Sequence, residues 1–217
     1  VSSRAFAIVL LFVGLAACAP AKPPPVAVPE APPPQPADAA SAAPQACFAA
    51  LDAAKAKYER RATQPTREGC SVAEAIMLEQ ATIPLNRAVL MSCPLAAALA
   101  AFEQEIVQPA AQRHFGRPVV LLVHYGAYAC KPQTGRPSRL SEHAFGQAID
   151  VGGFELPGRV TISVRQHWGE RGPRGTFLRE VAQGACRHFN MVLTPKSDAA
   201  HSTHLHLDMG RFKRCDA

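Results

Sequence analysis

Cys47, Cys70, Cys93, Cys130, Cys186 and Cys215 constrain this chain more than any other feature, because no two of them lie closer than 23 positions. That spacing argues against a thiolate zinc knuckle and against a redox C-x-x-C pair, both of which need close neighbours in sequence. An even set of scattered cysteines in an oxidising compartment reads instead as three disulfides. A preference for short loops pairs Cys47 with Cys70, Cys93 with Cys130, and Cys186 with Cys215.

The first residues supply the compartment. Arg4 is followed by an uncharged, mostly apolar run from Ala5 to Ala17, which ends Leu15-Ala16-Ala17-Cys18. A bilayer span needs about 20 apolar residues, so this run is short for one, and small residues before a cysteine suit a lipoprotein signal peptidase. Residues 1–17 are therefore expected to be a lipoprotein signal peptide and Cys18 the lipidated residue. The chain would then sit on the periplasmic face of a bacterial membrane, the outer membrane being the expected one.

From Ala19 to about Pro44 the sequence is almost wholly Ala, Pro and Val, with Lys22, Glu30 and Asp38 its charges. Such a stretch cannot bury a core and favours extended polyproline II, at about 3.1 Å per residue. Residues 18–45 are thus expected to be a tether, and residues 46–217 a single domain. Lysine and arginine total 23 against 17 acids; without Arg4 the balance is 22 against 17, a net charge of +5. This mild excess suits an anionic envelope surface. No dense basic run with interleaved aromatics is present, so nucleic acid is not an expected partner.

Within the domain, Ala46 to Tyr58 is alanine-rich and helix-permissive. Pro94 to Phe115 carries Leu95, Leu99, Phe102, Ile106, Ala110 and Phe115 roughly on one helical face, and Gly116 stops it. Val119 to Val123 reads as a buried strand and Val160 to Val164 alternates as a strand. Phe177 to Phe189 reads as a second amphipathic helix, and Met191 to Leu193 and His204 to Asp208 as short strands. The class expected is α+β, with N-terminal helices packed on a small, mainly antiparallel sheet and stapled by disulfides.

Two stretches carry chemistry. In Ser141-Glu142-His143-Ala144-Phe145-Gly146-Gln147-Ala148-Ile149-Asp150-Val151 a turn at Gly146 can bring His143 and Asp150 to one point, with Ile149 and Val151 burying the other strand face. A carboxylate aimed inward is costly unless it is paired or bound to metal. In His201-Ser202-Thr203-His204-Leu205-His206-Leu207-Asp208, strand periodicity puts His204, His206 and Asp208 on one face and Leu205 and Leu207 on the other. Two imidazoles and a carboxylate, with a fourth position for water, make a ligand set of catalytic zinc. Periodicity leaves open whether His204 or His206 is the ligand. Asp208, on the same face, is placed to orient one of them. Glu142, beside a ligand on a turn, is expected to be solvated.

Ser141-x-His143-x-x-Gly146-x-Ala148-x-Asp150, followed by His204-x-His206, resembles the paired signature of the metallopeptidase group that includes lysostaphin-type endopeptidases, D-Ala-D-Ala carboxypeptidases and the hedgehog signalling domain. The spacing His201-x-x-His204-x-His206 is similar to that of penicillin-insensitive murein endopeptidases. The span from about Cys47 to Cys215, with Tyr128-x-Cys130, Ser141-Glu142-His143-Ala144 and Asp150-Val151-Gly152-Gly153-Phe154, resembles the bacterial extensin-like C-terminal domain family. The resemblance implies that His143, Asp150 and His206 bind zinc and that His204 stands beside the metal as a base or transition-state stabiliser, with His201 a further catalytic candidate. Lys131, Ser141 and Asp208 become candidates for steadying an oxyanion or the ligands, with Arg136 and Arg139 as alternatives to Lys131.

The chain departs from these patterns in places. The carboxypeptidase branch has a glutamate three positions before its last histidine ligand, where this chain has Thr203, and murein endopeptidases carry a histidine before the first ligand, where it has Leu140. The expected activity is zinc-dependent hydrolysis of an amide in the peptide stem or cross-link of peptidoglycan, of D,D or L,D type. The alternative is a non-catalytic, zinc-containing lipoprotein that binds or organises the cell wall.

The leader reading has a direct check. Cys18→Ser should move the protein from the membrane fraction to the soluble fraction; continued sedimentation with membranes would make the apolar segment itself the anchor.

Overall fold

The computed structural model describes residues 36–62, 65–66 and 68–217. The leader, Cys18 and the tether as far as residue 35 lie outside the described residues. The first helix, α1 (Pro36–Ala53), begins nine residues before the expected end of the tether at residue 45. Proline is tolerated in a first turn, and the alanines that follow have the highest helix propensity of any residue. The helix ends before Tyr58, which belongs to a strand.

Strands then come earlier than expected. β1 (Lys57–Arg60), β2 (Ala75–Gln80) and β3 (Pro84–Ser92) form an antiparallel meander ahead of the main helices, so the helices are not gathered at the N-terminus. Their sequences hide them. β1 reads Lys-Tyr-Glu-Arg and is exposed at the sheet edge, and β3 opens on a proline and carries Asn86 and Arg87.

The expected long helix is present in three segments: α2 (Cys93–Phe102), a wide π-helical turn (Glu103–Val107) and α3 (Gln108–Phe115), ending at Gly116. β4 (Leu121–Gly126) follows, then a hairpin of β5 (Pro132–Gln133) and β6 (Arg136–Leu140), and the long strand β7 (Ala148–Leu156). β8 (Val160–Ser163), α4 (Val164–His167), α5 (Pro173–Ala185), β9 (Met191–Leu193), β10 (Leu205–Asp208) and β11 (Arg214–Cys215) complete the chain.

Among the described residues nine strands form the main sheet in the order β1-β2-β3-β4-β7-β10-β9-β11, with β8 also on β7. The sheet is larger than expected. Its pairs are antiparallel except β3 with β4 and β9 with β11. β7 is the pivot: β4 lies along one edge, while the other edge holds β10 along Ala148–Val151 and β8 along Gly153–Leu156. The core includes Leu99, Phe102, Phe154 and Phe177, all fully buried, with Phe154 and Phe115 meeting Phe177 edge-on at 5.4 and 5.3 Å.

Three disulfides staple this fold: Cys47–Cys93, Cys70–Cys130 and Cys186–Cys215. The last matches expectation; the other two replace the pairings Cys47–Cys70 and Cys93–Cys130. The meander is the reason, since it returns the chain from β3 to the start of α2, where Cys93 meets α1 rather than its neighbours in sequence.

The π turn puts Glu103 wholly inside the protein. One of its oxygens, Oε2, accepts from the Thr82 N–H at 2.7 Å, the Thr82 hydroxyl at 2.6 Å and the Ile83 N–H at 2.8 Å, tying the helix to the β2–β3 turn. Burial pushes its pKa up to about 7 against the pull of these donors. The native carboxyl holds its proton where the unfolded one has released it, so this group's contribution to stability falls as pH rises from about 4.5 through 7. Glu103→Gln should remove that part of the pH dependence in urea titrations compared at about pH 5 and pH 8. An unchanged slope would show that the Glu103 carboxyl titrates alike in the folded and unfolded chain.

Candidate metal centre

Strand alternation and register build the centre. Along β7, Ile149 and Val151 are fully buried, and Asp150 projects from the other face. Along β10, Leu205 and Leu207 bury in the same way, leaving His206 and Asp208 beside Asp150. The antiparallel register sets His206 directly opposite Asp150 and Asp208 opposite Ala148, a relation that brings facing side chains within contact.

His143 arrives on a short 3-10 turn, Glu142–Phe145. The Ser141 hydroxyl caps it by accepting from the His143 N–H at 3.4 Å. Gly146 ends it at φ 61°, and a Cβ there would lie 2.7 Å from Val72, so both backbone and space demand glycine. The His143 Nδ1–H donates to the Ala127 carbonyl at 2.7 Å, which turns Nε2 inward.

The three donors close into a near-equilateral triangle. His206 Nδ1 lies 3.0 Å from Asp150 Oδ1, His143 Nε2 lies 3.2 Å from that oxygen, and the two nitrogens are 3.2 Å apart. This group could hold a metal ion. His204 Nε2 approaches the same oxygen at 3.4 Å but stands outside the triangle. The register thus separates the two histidines that periodicity left equivalent. Asp208 is in reach of His206: its Oδ2 lies 3.0 Å from His206 Nε2, and its Oδ1 accepts from the Gly210 N–H at 2.8 Å.

Electrostatics follow this crowding. Burial would raise the Asp150 pKa, but hydrogen bonds from His143, His204 and His206 hold the carboxyl well below the usual range. Burial opposes the His206 imidazolium, yet the carboxylates of Asp150 and Asp208 outweigh it and raise its pKa to about 9. Glu142, expected to be solvated, is half-buried, and desolvation followed by the Asp208 charge pushes its pKa up.

The triangle lies in a cleft of about 720 Å³. His201 faces it, with its Nδ1 2.7 Å from Asp198 Oδ1 and its ring 5.4 Å from His204 and 5.6 Å from His206. Burial lowers the His201 pKa in spite of Asp198. The Thr203 hydroxyl is 3.2 Å from His204 Nδ1. Lys131 is on the cleft wall, and Ser141, also lining it, caps the ligand turn. Sequence reasoning missed Tyr125, whose half-exposed ring meets His204 edge-on at 5.9 Å. Its seat is Gly152, where a Cβ would fall 2.6 Å from the ring. A paired Gly152-Gly153 inside an apolar strand was the available signal of a close approach.

Residues 45–216 match the family described as Extensin-like protein C-terminus. No curated protein and no solved structure matches the chain.

Because His206 keeps a proton to about pH 9 when no metal is bound, an ion entering the triangle must displace it. The stability that this imidazolium adds to the metal-free protein is complete below its ordinary value of 6.5 and is lost as pH rises through about 9. Metal-free protein should therefore melt at lower temperature across that window, and metal-loaded protein should not follow it. Calorimetry of metal binding near neutral pH, in buffers of different ionisation enthalpy, should show about one proton released per ion. Binding without proton release would remove His206 from the ligand set.

Proposed function

We propose that this chain, which belongs to the extensin-like protein C-terminus family, is a zinc-dependent hydrolase that cuts an amide bond in the peptide part of bacterial peptidoglycan, working from a lipid anchor at Cys18 on the periplasmic side. The observation that carries the reading is the triangle with edges of 3.0 to 3.2 Å on the wall of an open cleft. Tetrahedral zinc with bonds of about 2.0–2.1 Å sets its ligands about 3.3–3.4 Å apart, so the triangle needs to widen by only a few tenths of an ångström. Structural zinc normally has four protein ligands, whereas three ligands beside a cleft suit a catalytic site. The cleft volume also falls within the usual range of ligand pockets, about 300–1,000 Å³. The sequence resemblance to the metallopeptidase group supports the same reading.

Zinc held there would supply a Lewis acid for the substrate carbonyl and would acidify a water molecule towards neutrality. The chain's own residues do the rest. Asp208, fixed by the Gly210 N–H, holds the His206 Nε2–H so that Nδ1 faces the ion. Ala127 does the same for His143 through Nδ1. His204, held between Thr203 and the Tyr125 ring, moves a proton between the attacking water and the departing amine. His201, anchored by Asp198 and kept neutral by burial, is the second proton acceptor on that wall.

One observation favours a second reading, a wall-binding protein without turnover: Thr203 stands where the carboxypeptidase branch carries a glutamate. The two readings separate experimentally. Soluble domain should bind about one zinc per chain, and sacculi digested with it should yield new peptide fragments by mass spectrometry that a chelator abolishes. His143→Ala, Asp150→Ala and His206→Ala should each lose most of the zinc. His204→Ala should keep zinc and lose roughly a hundredfold or more in rate. Tight zinc without turnover in the wild type would overturn the hydrolase and leave the binding role; zinc loss in His204→Ala would exchange the two histidines.

A further inference from the structure

The cleft is unevenly charged. Among the described residues four acids line it, and three are engaged within the fold. Asp150 faces its histidines, Asp208 holds His206 and the Gly210 N–H, and Asp198 accepts from His201 and from the N–H groups of Ala200 and His201. Among the cations on the same walls, Arg214 pairs with Asp216 at 2.6 Å. Lys131, Arg136 and Arg139 make no ion pair among the described residues. Glu142 is the acid left to set against these three.

All three cations belong to one rooted element. The Lys131 carbonyl accepts from the Ser141 N–H at 3.1 Å, and Pro132 pairs with Leu140 across the β5–β6 hairpin. Immediately before it, Cys130 is bonded to Cys70, and the Ala129 N–H donates to the His143 carbonyl at 3.1 Å. The base of the hairpin is thereby fixed to the turn that carries a metal ligand. Arg139 lies over the ring of Phe212 at 4.5 Å, and Arg211 approaches the same ring at 4.7 Å. Phe212 is 44% exposed and lines the cleft, so it offers an apolar wall beside a guanidinium.

We infer that Lys131, Arg136 and Arg139 bind a carboxylate of the substrate, so that the cleft selects peptides with a free carboxyl group near the bond offered to the triangle. The inference rests on the reading that the cleft takes a peptide. A guanidinium fork matches a carboxylate in two parallel hydrogen bonds, and stacking on an aromatic ring leaves those edges free. A long polyanion fits less well, because it would also meet the carboxylates on the same walls. The carboxylate has two sources in a peptide, its C-terminus and a carboxyl within the chain.

The test measures binding rather than turnover. Metal-free full-length protein is titrated calorimetrically with a synthetic stem peptide in three forms: free acid, C-terminal amide, and internal carboxyl amide. Masking the recognised carboxyl should weaken binding about tenfold or more, as expected for charge-assisted hydrogen bonds, and the arm that weakens identifies the source. In the variant carrying Lys131→Gln, Arg136→Gln and Arg139→Gln, the free acid and the amides should bind within about twofold of one another. The exposed single changes Lys131→Gln and Arg136→Gln, each expected to weaken the free acid severalfold, carry the same test if the triple variant does not fold. Equal binding of all three forms to wild type, or a preference that survives in the variants, would overturn the inference. Absence of hydrolysis in the sacculus digests of zinc-loaded protein, with the carboxylate preference intact, would instead count against the hydrolase alone.

Discussion

The register of β7 against β10 is the constraint on which the centre depends. It sets His206 opposite Asp150, and it turns Ile149, Val151, Leu205 and Leu207 into the core together. A slip of β10 by one residue would carry His206 and Asp208 into the hydrophobic interior and put Leu205 and Leu207 in the cleft. The site is therefore held by the same free energy that holds the core, since moving one moves the other. Asp150 is tolerable at this depth because one oxygen is shared by His143, His204 and His206; an unpaired carboxylate there would cost several kcal/mol.

Much of that half of the fold was legible in the sequence. Alternation in Ile149-Asp150-Val151 and in Leu205-His206-Leu207-Asp208 exposes one chemical face and one dry face, and two short strands with that pattern imply where the facing residues meet. Alternation could not choose between His204 and His206, which share a parity; the choice belongs to the register and to where β10 begins, at Leu205. The helix from Pro94 to Phe115 was visible as a stripe, but not its π turn, whose buried Glu103 is satisfied by Thr82 and Ile83, some twenty positions away.

The early strands were not legible, and they steady the ligand turn from outside. The Ser92 N–H at the end of β3 donates to the Gly146 carbonyl at 2.9 Å, and the Ser71 N–H, next to Cys70, donates to the Ala144 carbonyl at 3.1 Å. With the bond from Ala129 to His143, three backbone donors grip three of four successive carbonyls around His143. None of these contacts depends on a side chain, so no residue pattern could announce them. Two of the disulfides were missed for a related reason: short-loop preference has no knowledge of a meander that returns Cys93 to α1.

The Cys47–Cys93 bond has a mechanical consequence. Tension applied through the residues before Pro36 enters the domain along α1 and reaches a covalent link at Cys47, which passes it to the start of α2. The 46-residue separation closed by that link contains β1, β2 and β3. A pull from the N-terminal side thus bypasses the meander, whose hydrogen bonds would otherwise peel one by one from the exposed edge. The strands that brace the His143 turn are sheltered from load carried by the chain ahead of them.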